Sequence, residues 1–153
     1  MSKRFESVEA ILDFAIANEV GANQFYLELA SKMEAPAMKQ AFEEFAQEEA
    51  GHKAKLEVVK RGDFSFGSGA AKVQTLSLAD YLVESEPKED MTYAEALILA
   101  MKQEKAAYKL YLDLATAAEA EELTDLFLDL AAEEAKHKLR FEIEYDDVVL
   151  KEG

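Results

Sequence analysis

Apolar positions recur in steps of four and three over four stretches of the chain, the period of a helix that buries one face. The first seam is Val8, Leu12, Ala15, Glu19, Ala22, Tyr26, Leu29 and Met33. The second is Met38, Phe42, Phe45, Glu49, His52, Leu56 and Val59. A third runs Leu97, Ala100, Glu104, Ala107, Tyr111 and Leu114, and a fourth Leu123, Phe127, Leu130, Glu134, His137 and Phe141. These seams predict helices over about 5–33, 36–61, 92–118 and 120–145. Pro36 suits the first position of its helix, and Arg61-Gly62 suits the end of it. Thr92-Tyr93-Ala94-Glu95 has the form of a capping box. The turn near Ala118–Glu121 carries neither Gly nor Pro, and the tail from Asp146 to Gly153 is expected to fray.

Residues 62–91 break the pattern. Gly62, Gly67, Ser68 and Gly69 open this segment and Pro87 closes it. Its length fits a crossover that spans a bundle, with Leu76, Leu78, Tyr81 and Leu82 forming a short amphipathic piece over the helices. The expected fold is all-α: one domain over residues 1–153, a four-helix bundle of two helical hairpins joined by the crossover.

Each seam is interrupted by acid, and two of them also by histidine. Glu49 and His52 stand three residues apart, as do Glu134 and His137, so each pair shares a helix face. They occupy positions where a helix normally buries Leu or Phe. Unpaired there, each would cost several kcal/mol on the order-of-magnitude scale for buried charge. A metal ion is the economical compensation.

The two halves align without gaps at an offset of 85. Phe25-Tyr26-Leu27-Glu28-Leu29-Ala30 matches Leu110-Tyr111-Leu112-Asp113-Leu114-Ala115, and Glu19, Phe42, Glu49 and His52 match Glu104, Phe127, Glu134 and His137. From Glu19 to Glu49 is 30 residues, with the turn at Pro36 close to the midpoint. At ~1.5 Å of rise per residue, the climb and the descent return the chain to one level. Each hairpin therefore sets two Glu and one His at the same height. Two hairpins packed together gather four carboxylates and two imidazoles.

Composition narrows the chemistry. The 153 residues carry a net charge of −15, which argues against nucleic acid and anionic membrane surfaces as partners. No cysteine is present, so disulfides, thiolate zinc sites and iron–sulfur centres are excluded for this chain. No apolar run approaches the ~20 residues of a membrane span, and the basic start is followed by Glu6 and Glu9 instead of an apolar core segment. A cytoplasmic location is expected. Four glutamates neutralise two divalent ions, and mixed oxygen and imidazole ligation suits iron; zinc or manganese fits the same donors.

At these residues the chain resembles the rubrerythrin branch of the ferritin-like di-iron carboxylate proteins, over roughly residues 5–145. The resemblance implies a di-iron centre in which Glu19 and Glu104 are terminal ligands, Glu49 and Glu134 bridge, and His52 and His137 complete the two iron sites. It also implies that Tyr26 and Tyr111 donate hydrogen bonds to ligand carboxylates, and Asn23 and Tyr108 are further candidates to face the site. The activity implied is reduction of hydrogen peroxide or oxygen. The alternative is iron binding or ferroxidase handling without peroxidase turnover. Two features depart from the family. Rubrerythrins proper carry a cysteine-ligated rubredoxin domain, so here electrons would come from a separate donor protein. They also carry an extra Glu one turn after the third-helix ligand, where this chain has Ala107 and, in the repeat, Ala22. A homodimer is expected, with exchange of hairpins open to it.

Overall fold

The computed structural model describes residues 7–63, 76–83 and 91–152. Four long helices account for most of them: α1 (Val8–Lys32), α2 (Pro36–Val58), α3 (Tyr93–Ala117) and α4 (Glu121–Glu152). The structure is all-α, a four-helix bundle.

Local chemistry sets the helix ends. Ser7 caps α1, its hydroxyl oxygen accepting from the Ala10 amide at 3.0 Å. Pro36 opens α2, where its missing N–H leaves no bond unmade. The capping box at Thr92 is complete: Thr92 Oγ1 accepts from the Glu95 amide, and the Glu95 carboxylate accepts from the Thr92 amide. Between α3 and α4, Thr124 donates to the Ala118 carbonyl at 3.3 Å, which closes a turn that lacks Gly and Pro. At the far end of α2 the chain leaves through a π-helical turn, Val59–Asp63.

One boundary differs from expectation. α4 continues to Glu152 instead of fraying after Tyr145. Tyr145 and Val148 both pack against a buried cluster, so the apolar seam extends a further turn and holds the helix.

α1 packs along α2 and α3 along α4; between the hairpins α1 faces α3, and α2 meets α4 through Phe42, Phe45 and Phe141. Two apolar clusters fill the interior. One contains Ile11, Leu12, Leu56, Leu114, Leu123 and Phe127. The other contains Phe25, Phe42, Leu97, Leu99 and Phe141. Along every helix these two clusters fall on opposite sides of the seam glutamates. The core is therefore two apolar plugs with a polar layer between them.

The same assignment fixes the path of the crossover. α2 ends and α3 begins at opposite ends of the bundle, so the connection must travel its length. Within the described part, a short 3-10 turn (Leu78–Asp80) lies among residues that climb past the polar layer. Leu76, Leu78 and Tyr81 pack on the first plug and Val83 on the second. Leu82 is 55 % exposed, so the amphipathic piece expected here buries Tyr81 and not Leu82. Gly67, Ser68, Gly69 and Pro87 lie outside the described residues.

Candidate metal centre

The polar layer consists of Glu19 from α1, Glu49 and His52 from α2, Glu104 from α3, and Glu134 and His137 from α4. Each is 2 % exposed or less, deeper than charged side chains normally lie. The three-residue spacing on α2 and α4 turns each Glu and His toward the bundle axis. The 30-residue spacing within each hairpin levels the facing helices.

The donor atoms form two overlapping groups. Glu19, Glu49, His52 and Glu134 each place one atom within 4.8 Å of the others, and so do Glu49, Glu104, Glu134 and His137. Glu49 and Glu134 belong to both. Nδ1 of His52 lies 2.7 Å from Glu134 Oε1, 3.6 Å from Glu19 Oε2 and 3.9 Å from Glu49 Oε2. Nδ1 of His137 lies 2.9 Å from Glu49 Oε1 and 3.6 Å from Glu104 Oε1. The imidazoles are nearly parallel, with centres 6.3 Å apart, one to each group.

These residues fit a pair of cations on the chemistry of the layer itself. Glu19 Oε2 and Glu104 Oε2 are buried and make no hydrogen bond, and Glu49 Oε1 and His137 Nδ1 have only each other, at 2.9 Å. Buried polar atoms without partners are rare, and here two carboxylate oxygens and an ion pair with nothing else to bond converge on one space. Burial pushes the Glu49 carboxyl well up from its ordinary value, and contact with Glu19 adds to it. Burial and then the charge of Glu104 do the same to Glu134. For Glu19 burial also acts upward, but contacts with Glu49 and His52 outweigh it and hold the carboxyl low. Burial opposes charging of His137, yet the carboxylates of Glu104 and Glu49 push the imidazole up to about 11. Without cations, protons must take up the charge that four carboxylates bring together.

A second layer holds these carboxylates. The Tyr26 hydroxyl donates to Glu104 Oε1 and the Tyr111 hydroxyl to Glu19 Oε1, so each tyrosine serves the other hairpin. Burial and then the charge of the nearby acid, Glu104 for Tyr26 and Glu19 for Tyr111, raise both phenols well above their ordinary value. They stay protonated donors.

The far nitrogens of the histidines are also held, by residues the sequence reading missed. Nε2 of His52 lies 2.5 Å from Glu133 Oε2, and Nε2 of His137 contacts Glu48 Oε2. A carboxylate behind each imidazole turns Nδ1 toward the centre. The available signal was the doublet Glu48-Glu49, repeated as Glu133-Glu134. Phe45 supports His137 further, their ring centres 4.4 Å apart.

Two candidates lie elsewhere. Asn23 donates to the Ala46 carbonyl at 2.6 Å and so ties α1 to α2, while Tyr108 is 38 % exposed. Four residues after a ligand is one turn, but the seam here advances by three and leaves both off the axis.

A cavity of about 290 Å³ reaches the layer from the α1–α3 side. Glu19, Glu49, Glu104 and Glu134 lie along it, and neither histidine does.

The sequence model of the Rubrerythrin family matches residues 10–64 and 95–153. No curated protein sequence matches the chain. Among solved structures, a Thermotoga maritima protein described as ferritin-like and diiron-carboxylate superposes with a TM-score of 0.78 at 22 % identity, over 95 % of this chain and 98 % of that one. A hypothetical protein from Pyrococcus furiosus superposes with a TM-score of 0.71 at 28 % identity, over 92 % and 89 % of the two chains. Among the described residues, no helix is long and apolar enough to cross a membrane.

Proposed function

This chain belongs to the rubrerythrin family, and from that premise we propose that it is a di-iron oxidoreductase that reduces hydrogen peroxide or oxygen. The observation that carries the proposal is the pair of overlapping ligand groups that share Glu49 and Glu134. Glu19 and His52 would hold one ion, Glu104 and His137 the other, with Glu49 and Glu134 between them. Bound there, two ferrous ions supply the two electrons that, with two protons, convert hydrogen peroxide to two waters.

The chain's own residues supply the setting. The apolar plugs keep bulk water from the layer and strengthen each electrostatic contact inside it. Tyr26 and Tyr111 hold one oxygen each of Glu104 and Glu19, which leaves Glu104 Oε2 and Glu19 Oε2 without hydrogen-bond partners among the ligand atoms. Glu48 and Glu133 orient the imidazoles. The cavity between α1 and α3 gives a small oxidant its approach. Electrons would return from a separate donor protein.

A second reading, iron handling or ferroxidase action without peroxidase turnover, is favoured by Ala107, which stands where the family's additional carboxylate is expected. Anaerobic loading with two equivalents of Fe(II), followed by separate mixing with hydrogen peroxide and with oxygen, tests both. Oxidation much faster with peroxide supports the peroxidase. Faster oxidation by oxygen supports the ferroxidase reading. Failure to take up two irons rejects the di-iron assignment.

A further inference from the structure

The cavity between α1 and α3 is larger than the proposed oxidants need. A water occupies ~30 Å³ of liquid, so two oxygen-sized ligands at the centre fill roughly 60 Å³. The space holds about 290 Å³.

Its walls are built for something other than water. Ala22 and Ala107, at equivalent places in the two halves, keep both sides short, while Phe14 and Phe25 close the ends with aromatic surface. Tyr81 and Val83 from the crossover form the outer wall. That wall is fixed in place. Tyr81 is 2 % exposed, its hydroxyl donates to Asp113 Oδ2 at 2.7 Å, and the Lys109 ammonium lies 5.6 Å from its ring centre. Beside Glu19 Oε2 and Glu104 Oε2, Gln103 Oε1 in this lining is buried and makes no hydrogen bond. The floor is the set of four ligand carboxylates.

We propose that this cavity is a binding site for a small organic anion, a monocarboxylate with a short apolar body, seated with its head at the metal centre. The inference rests on the di-iron reading. Four carboxylates balance two divalent ions, and two trivalent ions leave a surplus of two positive charges that an entering anion offsets. Ala22, Ala107, Phe14 and Phe25 then receive the apolar body. Hexanoate has two carboxylate oxygens and six carbons, and eight waters, at ~30 Å³ each in the liquid, come to roughly 240 Å³. It fits the space.

The test uses the full-length protein loaded with iron and oxidised, with azide and hexanoate as probes. Azide reports on the metals through its absorbance, and hexanoate should displace it competitively. A crystal soaked in hexanoate should show the alkyl chain between Ala22 and Ala107. Ala107→Leu and Ala22→Leu, made separately on two different helices, should each weaken hexanoate by ~10-fold or more through overpacking. Azide affinity and a content of two irons per chain should be unchanged in both variants. Azide binding without hexanoate binding, or hexanoate binding that ignores both substitutions, overturns the organic-anion site and leaves the di-iron reading standing. A protein that takes up no iron overturns both.

Discussion

Oε2 of Glu133 on α4 lies 2.5 Å from Nε2 of His52 on α2, so the imidazole is oriented from the opposite hairpin. Glu48 on α2 contacts Nε2 of His137 on α4 in the reciprocal arrangement. Neither acid serves the histidine of its own helix. The crossing couples the hairpins at the polar layer, alongside the reciprocal Tyr26–Glu104 and Tyr111–Glu19 contacts.

Glu133→Gln and Glu48→Gln should therefore act on metal binding more than on folding. Loss of a carboxylate behind a metal-binding histidine typically weakens affinity by ~10–100-fold. Competition with a chromophoric chelator measures this, and far-ultraviolet circular dichroism checks that the helices persist. Unchanged affinity in both variants would make the contacts incidental.

Tyr26→Phe and Tyr111→Phe should each destabilise the metal-free protein by ~1.5–3 kcal/mol, the range for a hydrogen bond to a charged group. The two effects should be similar, because Tyr26 bonds Glu104 as Tyr111 bonds Glu19. Urea unfolding reads both. A large effect from one and none from the other would show that the halves are energetically unequal despite their shared sequence pattern.

Metal binding should release protons. The Glu49 and Glu134 carboxyls are raised in the metal-free layer and the His137 imidazole stands at about 11, so these sites hold protons more firmly than they ordinarily would. Cations must displace them, so affinity should rise with pH. The stability of the metal-free protein should run the other way. Groups whose folded pKa is raised stabilise fully below the unfolded value and lose that contribution as pH climbs through the folded one. Glu49, Glu134, His52 and His137 are in this class, so their contribution should fall as pH rises above the ordinary carboxyl range toward about 11, while Glu19 and Glu133, held low, lose theirs only in acid. Titration in weak buffer with a pH indicator, and urea unfolding across pH, check the two halves of this prediction.

Removal of metal should lower thermal stability. A ligand at 100 times its Kd adds about 2.7 kcal/mol, and each kcal/mol moves the midpoint of a domain this size by roughly 2–4 °C. Melting with and without a strong chelator measures the difference. Identical midpoints would mean that the buried layer holds no tightly bound ion.

Phe127→Ala should destabilise by ~3–5 kcal/mol, since it empties a fully buried position in one plug. Phe42→Ala, its repeat mate in the other plug, should behave alike. Calorimetric unfolding of the two variants compares the plugs directly.

By itself the sequence determined the helices and the level of the site. A step of four and three sorts residues into faces whatever lies opposite, and the offset of 85 repeats one face in the other half. Glu19, Glu49, His52, Glu104, Glu134 and His137 were legible because acid and imidazole on an apolar seam break a pattern that everything around them keeps. The roles of Glu48 and Glu133 were not legible. Each lies about 100° around its helix from the ligand that follows it, and only the approach of the other hairpin supplies a histidine there. The further extension of α4 to Glu152 was likewise decided by packing, through Tyr145 and Val148 on the second plug. The cavity is also a tertiary fact. Ala22 and Ala107 read as small seam residues until α1, α3 and the wall at Tyr81 enclose the volume between them, because empty space belongs to no single stretch of chain.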